Sequence, residues 1–359
     1  MFEKLLNVTR ADISTVRSVI KTNEKLREIF FEKGAITKRE LDENTDFSEL
    51  FWSIPNAREW RIYDHCAVIT RLYAIYENFV ESLIRDWILL LPDIFPCYSD
   101  LAEQVRSKHQ LGVAQLLQEL KRKKSRFNHL SVESIVRGLY FGFTAGEGKY
   151  DLVPDAFLLH DQNLRKEALG KLFTDAGISN SWNWVKNHRD VRNFVKEVIA
   201  DENTVEGELN ELISYRNDAA HGAAIDNWLG SDRLLYFCEL VEVLCNALAE
   251  LTTYSVVERK KSIGKVKQIG KVTRWFEKAK ATRAKIQDAI LSVGTTLFLV
   301  SETKYWCNVV KVESIKILEE GKEIEKNSVE ITNERELGLK FNAEAKKDLL
   351  IYIELSPFT

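Results

Sequence analysis

Between Glu208 and Ala224 the chain reads ELNELISYRNDAAHGAA, and four of its residues can carry chemistry: Arg216, Asn217, Asp218 and His221. An imidazole titrates close to neutral pH, so it can both take and give a proton. A guanidinium is always charged and presents a planar fork of donors that matches a phosphate. Asn217, one turn before His221, can hydrogen-bond either the imidazole or the phosphate. Together these types suit proton transfer beside a phosphate. Arg216 and His221 lie five positions apart, which on a regular helix separates them by about 140°. One helix therefore cannot aim both at one point. The residues around the pair are small (Ala219, Ala220, Gly222, Ala223, Ala224), so another helix or a phosphate can approach closely. The plain alternative is a capped helix end with a surface ion pair.

The elements that must position these residues follow from apolar spacing. Leu209, Leu212 and Ile213 give a stripe that roots the segment in a core. After it, Asp232 to Tyr254 reads as a helix, with Leu234, Phe237, Val241, Leu244, Leu248 and Leu251 forming a narrow seam for a partner helix. Before it, Arg58 to Leu91 is the longest helical pattern: Ile69, Leu72, Tyr76, Phe79, Leu83 and Trp87 share one face, and Pro92 is expected to end it. Glu77 sits beside that face, between Tyr73 and Val80. It is either a boundary residue with its head in water or a partner of Arg216. Phe2 to Glu32 is a further helix, with Ile13, Val16, Ile20 and Ile29 in phase and Gly34 as its breaker. Leu41 to Pro55 is polar and turn-rich, with Trp52 and Ile54 packing back. Leu101 to Leu120 and Ala156 to Leu172 read as helices, and Trp182, Trp184, Val185 and Val191 as packed helical turns. Gly138, Gly142, Gly146 and Gly148 read as loop punctuation; their spacing, with Lys149 followed by Tyr150, is not that of a phosphate-binding loop. His188-Arg189-Asp190 has the letters of a kinase catalytic loop, but Val195 stands where Asn is needed and no glycine-rich loop precedes it.

The run Tyr215-Arg216-Asn217-Asp218-Ala219-Ala220-His221-Gly222 resembles the signature of the HEPN superfamily: an Arg, a polar neighbour, and a His a few residues on. Arg122 and His129 satisfy the loose spacing too, but only Arg216 has the following Asn, the closing Ala-His-Gly and long helices on both sides. Ile75-Tyr76-Glu77-Asn78-Phe79-Val80-Glu81 is similar to an aromatic-Glu-x-Phe-Val segment of a prokaryotic branch. The resemblance covers Arg58 to Tyr254. It implies an all-helical fold and a metal-independent RNA endonuclease acting as a dimer. Such cleavage needs a base for the ribose 2′-OH, an acid for the leaving 5′ oxygen, and a cation for the phosphorane. His221 would be base or acid, Arg216 the cation and Asn217 the orienting group, with Glu77, Asp218 and Tyr215 in support. Two copies across a two-fold axis would supply two imidazoles, which also fits the 140° offset. The implied products are a 2′,3′-cyclic phosphate and a 5′-OH. The implied setting is a toxin–antitoxin or antiphage defence system, with a neutralising partner protein.

The 359 residues leave room for two domains and a sizeable core. A net charge of −3 gives no whole-molecule attraction to nucleic acid, so any such attraction must be local. The five cysteines are scattered and odd in number, which points to reduced thiols in the cytoplasm. Cys238 and Cys245 are about 10 Å apart along a helix, too far for a bridge, and read as small core residues. Glu3, Lys4, Asn7, Arg10 and Asp12 interrupt any signal peptide, and Trp87 to Leu91 is too short an apolar run to cross a membrane. The six histidines (His65, His109, His129, His160, His188, His221) show no His-x-x-x-His pair and there is no Cys-x-x-Cys, so no metal site is expected, and the HEPN resemblance implies a site that needs no cofactor.

Local positive charge occurs twice. Lys121-Arg122-Lys123-Lys124-Ser125-Arg126 is either a solvated loop or a backbone contact for RNA. From Arg259 to Lys285 eleven Lys or Arg face one acidic residue, Glu277. Here the helical period stops and β-branched runs begin: Val266, Ile269 and Val272, then Thr295 to Val300, Tyr305 to Ile315, Ser328 to Thr332, Leu337 to Phe341 and Leu349 to Leu355. Short runs between turns are the pattern of a small antiparallel barrel. Val310-Lys311-Val312-Glu313-Ser314-Ile315, Glu336-Leu337-Gly338-Leu339-Lys340-Phe341 and Leu349-Leu350-Ile351-Tyr352-Ile353 resemble the β-barrel domain two of translation elongation factors. The expectation is thus a multidomain chain: an all-α HEPN-like domain over 1–258, with a helical extension over 1–57, then a basic lead-in and antiparallel β-barrel over 259–359. Lys121, Arg122, Lys123, Lys124, Arg126, Lys265, Lys267, Lys271 and Arg274 are the candidate RNA-binding residues, with tRNA or ribosome-bound RNA as the substrate the barrel implies. The rival is a non-catalytic dimeric adaptor that binds a partner protein or nucleic acid.

Overall fold

A computed structural model describes residues 1–32, 53–122, 126–144, 150–160, 162–199, 203–221, 225–319 and 322–355. Gly34, Trp52, Lys123, Lys124, Gly146, Gly148, Lys149 and Gly222 to Ala224, named above, lie outside these residues. Among the described residues there are nine α-helices followed by nine β-strands. None of these helices is long and apolar enough to cross a membrane.

The helical part is built on α2 (Ala57–Ile94), 38 residues long. Asn56 caps it by accepting the Glu59 N–H at 2.9 Å. Its apolar residues cover more than one face: Ile69, Leu72, Phe79, Val80, Leu83 and Ile84 are all fully buried. The reason is that α1 (Glu3–Arg27), α8 (Val205–Ala220) and α9 (Ser231–Ser262) all pack on α2. Each large side chain so buried contributes roughly 1.5–3 kcal/mol. Pro92 does not end α2; it sits in the last turn, which Phe95 closes through its N–H to Leu91 O at 2.8 Å. The helix expected to stop at Tyr254 runs on to Ser262, carrying Arg259, Lys260 and Lys261 in its last turn, where cations suit the helix dipole.

Two expectations are corrected between α2 and α8. Gly138 and Gly142 belong to a helix, α4 (Val132–Thr144), packed beside α3 (Glu103–Glu119). A methyl group on Gly138 would stand 2.8 Å from Val153, and one on Gly142 3.1 Å from the Tyr98 ring. These glycines permit close packing rather than mark a loop. The expected helix from Ala156 to Leu172 exists only as α5 (Lys166–Asp175), after a single 3₁₀ turn at Pro154–Ala156. Residues 157–160 and 162–165 form no regular element: Leu158 O bonds the Arg126 side chain, both backbone groups of Leu164 bond tyrosines of α2, and the bonds within the stretch are short-range, from His160 N–H to Leu158 O and from Arg165 N–H to Asn163 O. Two short helices, α6 (Ser181–Asn187) and α7 (Arg189–Phe194), then pack on α9, as Trp184, Val185 and Val191 required.

The C-terminal strands are β1 (Val266–Phe276), β2 (Ala281–Ile286), β3 (Ala289–Ser292), β4 (Thr296–Ser301), β5 (Trp306–Glu319), β6 (Lys322–Lys326), β7 (Ser328–Ile331), β8 (Arg335–Phe341) and β9 (Leu350–Glu354). Six of them close a ring in the order β4-β9-β1-β2-β8-β5, with β4 pairing β5 and every pairing antiparallel. Ile269, Val272, Leu297, Leu299, Leu337 and Ile351 fill its interior. Val266, Ile269 and Val272 are buried at every third position, not every second, because β1 is irregular at Gln268/Gly270 and again at Val272/Arg274.

Barrel and helices share a core. Phe298, Val300, Cys307 and Tyr352 face outward from the barrel into the helical cluster. At this seam Glu250 of α9 takes both arms of Arg189, accepts the Cys307 N–H at 3.1 Å, and lies 3.3 Å from His188 Nε2. The Arg189 guanidinium lies 3.8 Å from the Trp306 ring centroid. His188-Arg189-Asp190 therefore begins a clamp between the two parts of the chain.

Candidate active site

Helix α8 is pinned before it reaches Arg216. Thr204 caps it through the Gly207 N–H at 3.1 Å. Buried Glu208 and its neighbour Glu211 both accept from Arg233 of α9 at 2.6 Å, and Glu211 also takes the Tyr215 hydroxyl at 2.9 Å. Leu209, Leu212 and Ile213 are buried. The helix ends at Ala220, and His221 is its C-terminal capping residue, exposed, with its N–H on Asn217 O at 3.0 Å.

Arg216 is half-buried, and its guanidinium stands 4.9 Å from the Tyr73 ring centroid, close enough for a cation–π contact. It donates to Asn217 Oδ1 at 3.1 Å, an oxygen that also accepts from Asn163 at 3.1 Å. Tyr73 is fixed in turn: its hydroxyl accepts the Leu164 N–H at 3.0 Å and donates to Glu77 at 3.1 Å. Burial pushes the Tyr73 phenol up to about 12, with the Leu164 N–H and Arg216 pulling the other way and Glu77 adding to the rise. It stays a neutral donor at physiological pH. Glu77 is thus joined to Arg216 through Tyr73.

Tyr215 and Asp218 face a histidine whose part the sequence did not reveal. His65 of α2 is buried and meets the Tyr215 ring edge-on at 5.3 Å. Its Nδ1 accepts the Leu229 N–H at 3.2 Å. Burial lowers the His65 pKa, and the charge of exposed Asp218 opposes the shift. The imidazole is held neutral, supporting the loop that leads into α9.

The basic candidates fall in two places. Arg126 reaches Glu81 of α2 at 3.5 Å, two turns along from Tyr73, and also bonds Leu158 O. Lys121 and Arg122 are exposed, with Arg122 paired to Glu119 at 2.8 Å. The barrel residues lie elsewhere. Lys265 donates to Asp93 O at 2.7 Å, at the far end of α2, about 30 Å along that helix from Tyr73. Lys267 pairs with Asp288, Lys271 with Asp348 at 3.0 Å, and Arg274 lies over the Phe276 ring. Tyr73, Glu81, His160 and Asn163 are the neighbours of the site that the sequence reading passed over. The i+4 spacing of Tyr73, Glu77, Glu81 and Arg85 was the available signal. Among the described residues no three His, Cys, Asp or Glu side chains are grouped to hold a metal ion.

A family model described as RiboL-PSP-HEPN matches residues 35–254, a span that holds Tyr73, Glu77, Arg216 and His221. No curated protein matches significantly. Among solved structures, the chain is similar to the C-terminal domain of a putative U32 peptidase from Geobacillus thermoleovorans, with 10% identity, 24% of this chain and 96% of that one covered, and a TM-score of 0.20.

Proposed function

The chain belongs to the RiboL-PSP-HEPN family, and from that premise we propose that it is a metal-independent RNA endonuclease with Arg216 and His221 as its reacting groups. His221 takes the proton of a ribose 2′-OH, and the 2′ oxygen bonds to phosphorus. The bond from phosphorus to the 5′ oxygen breaks, and that oxygen leaves with a proton from a second imidazole. Arg216 stabilises the charge that gathers on the non-bridging oxygens, and Asn217 orients the guanidinium. The products are a 2′,3′-cyclic phosphate and a 5′-OH. One chain brings one imidazole to this helix end, so a second copy across a two-fold axis supplies the other.

The observation that carries this reading is Arg216 stacked on Tyr73 and tied to Asn217 at the end of a pinned helix, within the span the family model covers. The same reading places the protein in toxin–antitoxin or antiphage defence, acting on tRNA or ribosome-associated RNA and restrained by a partner protein. The test is incubation of purified protein with total cellular RNA in EDTA, beside Arg216→Ala and His221→Ala. Discrete fragments with cyclic-phosphate ends are expected from the wild type only. Fragmentation that persists in His221→Ala would sink the proposal. Equal expression of all three forms, with no cleavage, would favour a dimeric adaptor.

A further inference from the structure

Residues 155–160 and 162–165 run antiparallel along α2 and meet it at Arg85, Glu81 and Tyr73 in turn. Asp155 takes Arg85 through two hydrogen bonds of 2.7 and 2.9 Å. His160 Nε2 stands 3.2 Å from Glu81 Oε1. The Leu164 N–H reaches the Tyr73 hydroxyl that backs Arg216. Positions 73, 77, 81 and 85 are about 6 Å apart along the helix. From the loop before α4, Arg126 joins Glu81, and His129 Nε2 lies 3.8 Å from Asp155. One polar stripe thus runs from His129 to Arg216.

Two features distinguish this stripe from ordinary surface pairing. Asp155 lies beneath its cations, its side chain 5% exposed against 38% for Arg85 and 57% for His129, while Glu81, 28% exposed, stands between Arg126 outside it at 49% and His160 inside it at 18%. The fixed charges named so far balance, with Arg85, Arg126 and Arg216 against Glu77, Glu81 and Asp155, while Arg165 of the same segment turns away to Asn210 of α8 at 2.8 Å. The protonation of His160 then shifts that balance. His160 is placed to favour the cation: Nδ1 is 3.2 Å from Gln162 O, and the buried Nε2, which makes no well-aligned hydrogen bond, lies 3.2 Å from the Glu81 carboxylate.

We infer that this stripe is the track for the RNA backbone leading to Arg216, and that protonation of His160 sets its grip on phosphates. The inference rests on the endonuclease reading. The charged groups facing His160 are Glu81, with Glu77 and Arg85 a turn either side on α2, and Arg126 from the loop before α4. Glu81 raises the His160 pKa, against burial and Arg126. The cation is therefore present at low pH and lost as pH rises through that raised value, so RNA affinity falls as pH rises.

The test measures binding of a 2′-O-methyl oligoribonucleotide, which has no free 2′-OH to react. It is done at pH 5.5 and 8.0 at constant ionic strength, with His221→Ala as the parent so that the reacting imidazole is absent from every form compared. The parent should bind about tenfold more weakly at pH 8.0, and adding His160→Gln should cut that ratio to about threefold or less. Adding Glu81→Gln instead should tighten binding at pH 8.0, since it removes an inner negative charge, whereas a merely structural part for Glu81 would weaken it. RNA bound with the same pH ratio in parent and His160→Gln overturns the inference and leaves the endonuclease reading standing. No RNA bound at either pH overturns both.

Discussion

The guanidinium of Arg216 rests on Tyr73, a contact worth about 0.5–2 kcal/mol. If this contact aims the charge, the ring matters more than the hydroxyl. Tyr73→Phe keeps the ring but orphans the buried Leu164 N–H, costing about 1–3 kcal/mol of stability. Its kcat should fall only a few-fold. Tyr73→Leu loses the same hydrogen bond, opens a cavity and removes the platform; kcat of the fraction that remains folded should fall about tenfold or more. Equal kcat in the two variants would show that Arg216 is held by Asn217 alone. Arg216→Lys should be as damaging as Arg216→Ala, because an ammonium cannot reproduce the fork that binds Asn217 and a phosphate together. The Arg–His motif was visible in the sequence. Its seat on Tyr73 was not, because 143 positions separate the two residues and no local period links them.

At the scale of elements, the segment over α2 depends on close backbone contacts. A methyl group on Gly112 of α3 would fall 2.1 Å from Ala156 O, and neither backbone can give way cheaply. Gly112→Ala should cost about 1–3 kcal/mol or more by urea denaturation. It should also lower RNA cleavage beyond what the stability loss explains, since Ala156 leads into the stretch holding His160 and Asn163. Gly170 of α5 is the control: nothing lies within 4 Å of its added methyl. Gly170→Ala should be neutral or stabilise by about 0.5–1 kcal/mol. A destabilised Gly170→Ala would mean helix propensity is not what governs α5. Two glycines in helices, one locked and one free, look alike in the sequence; only the neighbour across the gap separates them.

For the whole molecule, the seam at Glu250 and the core around His109 set the response to acid. Burial alone would raise the Glu250 carboxyl, but His188 and Arg189 outweigh it and hold it below the ordinary value. Its stabilising contribution is present above the unfolded carboxylate pKa and lost as pH falls through the lower folded value. Glu250→Gln leaves Arg189 buried beside an uncharged partner. It should cost about 3–5 kcal/mol, read as a lower denaturation midpoint. His109 acts at higher pH. It is fully buried, and its Nε2 accepts the Val153 N–H at 3.1 Å. Burial lowers its pKa from 6.5 to about 4. The unfolded chain therefore binds that proton first as pH falls below 6.5. Stability should drop by up to roughly 3 kcal/mol between there and pH 4. His109→Gln should flatten that slope; an unchanged slope would place the titration elsewhere.

Periodicity alone determined α1, α2, α9 and most strands of the barrel, because burial of one face imposes a repeat that any single chain must display. The Arg216–His221 pair was likewise legible as residue types at a spacing. The tertiary structure alone decided the rest. Strand β2 hides among lysines and arginines because its alternate residues Thr282, Ala284 and Ile286 are small or few, and it is fixed by pairing with β1 and β8. Helix α4 was masked by glycines whose purpose is contact with Val153 and Tyr98. Leu158 and Leu164, helical by pattern, have backbone groups held instead by side chains from Arg126 and α2. A lone histidine such as His160 has no period to betray it; it takes on a role only when the fold sets Glu81 against one nitrogen and a carbonyl against the other.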